Sequence, residues 1–248
     1  DHRDLHSFPT RRSSDLVVAC PHCRKETSLA NVNKAIENGK EKNGRYLCVN
    51  CGEKFEAIEA KLKSEKLVRV IYRHPITGKR VSVVPGTEDI ATYERVKKNF
   101  EKIIAQEKLW YPKDAIPREW DRQEEDSLHR KGIKYFSDFF TARNLLITAY
   151  YYKILKSYKA RVGRSLYEML LFTFSATLRH TSNMTISAEN WMDGRPAAWT
   201  KHAFWMPYQF VEVNPIEYIE KRTTAVKSGL KFQKDRKSTR LNSSHRIR

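Results

Sequence analysis

All four cysteines of this chain fall in two short runs, CPHC at 20–23 and CVNC at 48–51, with 24 residues between them. Two residues between cysteines let one tight turn present both sulfurs to a single ion. Two such turns complete a tetrahedron of soft donors, the arrangement Zn2+ takes in structural sites. The spacing therefore predicts a zinc ribbon with Cys20, Cys23, Cys48 and Cys51 as ligands. Tetrathiolate iron stays open as the alternative ion. Disulfides fit less well because nothing in the chain suggests secretion, and the strand–helix setting of a redox pair is missing. His22 sits inside the first run, but four sulfurs already fill the shell. Gly52 suits the close turn under the metal. A closed site of this kind folds a module and leaves no position for catalysis.

The formal net charge of +18 over 248 residues points to a polyanionic partner. Nucleic acid is the commonest, bound by phosphate neutralisation and counterion release. Within the ribbon, Arg24, Lys25, Lys40, Lys42 and Arg45 are the candidate DNA-contacting set. The aromatic run at 198–210, with Lys201 and His202, is a second stretch suited to stacking on bases, although core and rim packing explains such a run as well. No run of about 18 apolar residues exists, so no membrane span is expected and the setting reads as the prokaryotic cytoplasm. GxGxxG and GxxxxGK loops are absent, and so are paired-carboxylate and nucleophile-elbow motifs. No reaction centre is visible.

The two ends differ from the rest. HSFPTRRSSDL at 6–16 and DRKSTRLNSSH at 235–245 have no apolar periodicity and resemble translated sequencing-adapter text. Segments 1–16 and 235–248 are therefore expected to lie outside the fold. Between them, 39 Lys+Arg against 25 Asp+Glu keep the formal charge at +14. The chain then reads as an internal slice of a longer protein.

Within that slice, residues 17–88 hold the ribbon, a turn at Asn43-Gly44 and a hairpin of strands 67–73 and 79–85. Residues 89–137 hold a helix with Ile90, Tyr93, Val96, Phe100 and Ile104 along one stripe, then a charged, extended connector with a short helix near 121–130. Residues 138–234 hold two helices, 142–160 and 164–180, apolar on most faces and so expected inside a core. A strand follows near 210, and Asn214-Pro215 is a cap-and-first-turn signal for a last helix.

One stretch carries a resemblance. GIKYFSDFFTARNLLITAYYYKIL at 132–155 resembles the F-x-D-x-FTPRNLLAL segment of bacterial and archaeal DNA amino-methyltransferases, which methylate N6 of adenine or N4 of cytosine. The order of pieces is also similar to a subgroup of that family: a four-cysteine ribbon, a linker with Tyr111-Pro112 and Ile116-Pro117, the FTARN helix, LLFTFSATL at 170–178, and an EVNP strand. The resemblance implies an α/β fold, a partial Rossmann-like methyltransferase domain carrying an inserted zinc ribbon. It implies S-adenosylmethionine as cofactor, with Phe140, Thr141, Arg143 and Asn144 as cofactor-contacting candidates, and DNA as partner. Thr141 as a plain helix cap is the structural alternative. The family's FxGxG and DPPY loops are missing, and Ala142 stands where the family has proline. The implied protein is thus a central fragment, inactive alone and completed by the rest of its parent chain. The rival expectation is a non-enzymatic zinc-ribbon protein that binds nucleic acid.

Overall fold

The computed structural model describes residues 9–29, 32–187, 196–197 and 204–244. Strand β1 (Pro9–Ala19) runs into the first cysteine turn, and β2 (Glu26–Ser28) returns antiparallel to it. Strands β3 (Lys34–Glu37), β4 (Lys40–Leu47) and β5 (Lys54–Glu56) form a second, three-stranded sheet around the other turn. The β3–β4 hairpin turns at Asn38-Gly39, not at Asn43-Gly44 as expected. Both of its loop residues have positive φ, 52° and 73°, as a two-residue hairpin of matching twist requires. Asn43 and Gly44 instead lie within β4, where the Gly44 carbonyl accepts from the Ala57 N–H at 2.8 Å.

Strand β6 (Lys61–Arg73) is long enough to pair with β1 from Pro9 to Ala19 and, at its far end, with β7 (Arg80–Val83). This is the expected hairpin, extended. After it come helices α1 (Thr87–Gln106), α2 (Arg122–Asp126), α3 (Ala142–Tyr158) and α4 (Arg164–Thr181). The small strands β8 (Ile186–Ser187) and β9 (Pro196–Ala197), strand β10 (Gln209–Val213) and helix α5 (Pro215–Ser244) complete the order. Strand β10 pairs with the free side of β1, giving the order β10-β1-β6-β7. The fold mixes helices with sheets, and every strand pairing among the described residues is antiparallel.

Strand β1 begins inside the segment expected to lie outside the fold, and α5 continues through residues 235–244. Ladder hydrogen bonds use main-chain groups alone, so an extended segment of almost any composition fills the place between β6 and β10. Asn214 caps α5 as expected: its Oδ1 accepts from the Ile216 N–H at 3.0 Å, with Pro215 at the first helical position. Glu217 in the first turn of α5 meets Arg73 at 3.2 Å, Arg80 at 3.5 Å and Lys221 at 2.7 Å, tying the helix to the β6–β7 hairpin. Burial disfavours the Glu217 carboxylate, yet these three cations outweigh it and lower its pKa.

The connector does more than cross a surface. Ile116, Leu128 and Ile133 are buried in one core with Leu16, Val18, Phe55, Phe139 and Phe210, so the ribbon and the later strands share an interior. Phe100 and Ile104 of α1 pack on Leu145 and Ala149 of α3. Tyr93, Phe100 and Ile104 are the buried part of the α1 stripe, whereas Ile90 is exposed. Helix α4 departs furthest from expectation. It buries Thr173, Thr177 and Thr181 and leaves Leu166 and Phe172 in solvent. The threonines recur every fourth residue and so share one face. Each hydroxyl donates to a carbonyl one turn back, Thr173 to Met169 at 2.8 Å and Thr177 to Phe174 at 2.6 Å. A satisfied hydroxyl is cheap to bury, and a small branched side chain permits close approach.

Candidate metal centre

The two cysteine turns are the same structure twice. Arg24 N–H donates to Cys20 O at 2.9 Å, and Gly52 N–H to Cys48 O at 2.8 Å. Cys20 N–H donates to Lys25 O at 3.0 Å, and Cys48 N–H to Glu53 O at 2.9 Å. The fifth residue of each turn takes positive φ, 61° at Arg24 and 76° at Gly52. Gly52 has no Cβ and adopts this at little cost, while Arg24 carries strain that the turn imposes.

These turns bring four sulfurs within 4.8 Å of one another. Cys20 Sγ lies 3.9 Å from Cys51 Sγ, and Cys23 Sγ lies 3.7 Å from Cys48 Sγ. A tetrahedron with Zn–S bonds of about 2.3 Å has edges of about 3.8 Å, so the donor set fits zinc. A disulfide needs about 2.05 Å, and all four cysteines are free. Burial opposes ionisation of Cys48, but N–H donors from Asn50 and Cys51 and the neighbouring thiols lower its pKa to about 6. At Cys51 an N–H from Glu53 favours the thiolate. Burial and the other three sulfurs prevail and push it up to about 12. Thiolates this close repel one another, and a dication is what lets all four sulfurs ionise together. His22 stays out of the cluster. Its Nε2 sits 3.0 Å from Lys54 O, bridging the two turns.

The basic candidates divide. Arg24 and Lys25 are exposed on the first cysteine turn, and Lys40 is exposed at the β3–β4 turn. Lys42 lies on β4, with its side chain outside the described residues. Arg45 is committed to Glu37 at 2.7 Å and Glu56 at 2.7 Å, and the hydrogen bonds it donates to those carboxylates raise its pKa. Of the aromatic run 198–210, residues 198–203 lie outside the described residues.

The FTARN segment forms the corner where α3 begins. Thr141 is the N-cap, its hydroxyl accepting from the Asn144 N–H at 3.2 Å. The fully buried Asn144 amide donates to Thr181 O at 2.8 Å and Val213 O at 3.1 Å, clasping the end of α4 to the end of β10. Arg143 forms an ion pair with Glu212, whose side chain has no exposure at all. Thr141, Arg143 and Asn144 thus each engage groups of the protein itself, although Asn144 Oδ1 and Arg143 Nη2 are buried with no hydrogen-bond partner among the described residues, and Phe140 lines a cavity. Glu212 was not expected as a partner. Its position on a short strand gives no local hint of a cation that arrives from α3. No protein family, curated protein or solved structure compared with the chain matches it.

Proposed function

We propose that the chain holds one structural zinc ion at Cys20, Cys23, Cys48 and Cys51 and binds nucleic acid through its basic surface, as the ribbon-bearing part of a DNA amino-methyltransferase. The observation that carries this is the gathering of four sulfurs within 4.8 Å from two turns of identical hydrogen bonding, in a chain of charge +18. Zinc supplies folding, not chemistry, since four sulfurs leave no coordination position. The methylase part rests on the order of ribbon, Tyr111-Pro112 linker, FTARN helix and EVNP strand. S-adenosylmethionine, when bound, supplies the methyl group. This chain would contribute Phe140 to that pocket, held in place by the Thr141 cap and the Asn144 clasp. The rest of the parent chain would bring the FxGxG and DPPY loops. A doubly wound Rossmann sheet runs parallel, so the antiparallel ladders favour a second reading, a non-enzymatic zinc-ribbon protein that binds DNA.

Native mass spectrometry of the purified chain is expected to show one zinc per chain. Duplex affinity is expected to fall steeply between 50 and 200 mM salt, roughly tenfold or more for a few phosphate contacts. Absence of metal, or salt-independent binding, refutes the proposal. Reading the source DNA outward from codons 17 and 234 separates the two readings. An FxGxG loop upstream with DPPY or DPPF downstream gives the methylase, and a start and stop at those points give the binding module.

A further inference from the structure

Beside the FTARN corner lies an apolar cavity of about 160 Å3, walled by Trp110, Tyr111, Phe140, Tyr152 and Phe174. Tyr152 stacks on Phe174 at 5.8 Å and 23°, and Trp110 leans on Tyr152 at 5.2 Å. Trp110 is 59% exposed, a large apolar ring left in water at the cavity mouth. Thr148 is the one hydroxyl-bearing aliphatic side chain in the wall, and it is spent on the Asn144 and Leu145 carbonyls at 2.8 and 3.0 Å. Two cations stand over rings of the wall. Lys113 Nζ stands 5.1 Å from the Tyr111 ring centre and Lys156 Nζ 5.8 Å from that of Tyr152.

From these features we propose that the cavity is a stacking site for one unpaired base of a nucleic-acid strand, with Lys113 and Lys156 on the adjoining phosphates. The volume is below that of a drug-sized pocket and suits a single heteroaromatic ring system. Aromatic walls bind ring faces, and the scarcity of polar groups leaves base identity unread, as in sequence-tolerant single-strand binding. An aliphatic chain would satisfy the walls and not the lysines, whereas a small anion without a ring would satisfy the lysines alone. A planar ring joined to an anion satisfies both. This inference rests on the second, nucleic-acid-binding reading above, in which Phe140 meets a base and not a cofactor. Its ligand chemistry has two sources, a base within a strand or a free nucleotide.

The test uses the full zinc-loaded chain with a labelled 16-nucleotide single strand, the matching duplex, and AMP. Trp110→Ala is expected to weaken single-strand binding by about 5- to 100-fold, while Trp110→Phe stays within about threefold of the unsubstituted chain. Lys156→Gln is expected to reduce the salt dependence of the same affinity. Duplex binding and zinc content should be the same in all three. Unchanged single-strand affinity in Trp110→Ala, with duplex binding intact, overturns the slot and leaves the ribbon reading standing. Failure of the unsubstituted chain to bind either DNA overturns both. AMP binding that depends on Trp110, beside strand binding that does not, assigns the slot to free nucleotides and overturns the strand proposal.

Discussion

The ribbon and the helical layer reach order by opposite means. Between Cys20 and Ala57 the large buried apolar side chains are Leu29, Val32, Tyr46 and Phe55, and the two turns hold sulfurs that repel one another once ionised. In the layer of α1, α3 and α4, order comes from packed rings, a threonine face and one buried ion pair. On the zinc reading the cysteine turns need an ion as well as their share of the common core, whereas the second region carries its stabilising groups within itself. Metal, pH and mutation should therefore act on the two regions separately.

The largest separation should come from chelation. Structural zinc contributes roughly 10–16 kcal/mol of apparent binding energy, comparable to the whole stability of a domain. With a strong chelator, or in Cys48→Ser, amide exchange in 20–57 should become fast while α1 and α3 stay protected. Equal loss in both regions would erase the contrast. Next is Glu212→Ala, which strands Arg143 beside an interior with no counter-charge. It should cost about 3–5 kcal/mol in denaturant titration and leave zinc content unchanged. Thr141→Ala removes the α3 cap and should cost about 1 kcal/mol.

Acid sharpens the comparison from the helical side. His180, tilted against Tyr218 at 4.8 Å, has its pKa lowered from 6.5 to about 4 by burial and by Arg222, Arg179 and Lys221. The unfolded chain therefore takes up this proton first. Stability should fall as pH drops from about 6.5 towards 4, and His180→Gln should flatten that slope. Zinc release contributes to the same window, so the difference between the two chains isolates the helical share. The smallest effect has the opposite sign. Arg24→Gly relieves positive φ and should stabilise the zinc-loaded ribbon by a few tenths to about 1 kcal/mol, read as a raised melting temperature.

What could be read from the sequence was what nearby residues decide together. The cysteine runs, the helix starts at Thr141 and Asn214-Pro215, and the strand 67–73 all rest on spacing within a few residues. What escaped depends on distant groups. Asn38-Gly39 and Asn43-Gly44 are equal turn signals, and pairing of β4 with both β3 and β5 selects the first. The burial of Ile116, Leu128 and Ile133 is set by strands that arrive before and after them. The threonine face of α4 carries no apolar stripe to mark it, because back-bonded hydroxyls do the packing there. The Arg143–Glu212 pair has no local signal, because β10 brings the carboxylate from nearly seventy residues further along the chain.

The place of β1 in its sheet has a consequence for how the chain is made. Ser13 pairs with Val211, nearly the full chain away, whereas the two cysteine turns meet within about thirty residues. During synthesis the ribbon and the β1–β6 ladder can assemble long before β10 leaves the ribosome. Until then one edge of β1 shows unpaired N–H and C=O groups, the template on which neighbouring nascent chains join. Slow translation of residues 74–208 prolongs the exposure of this one edge.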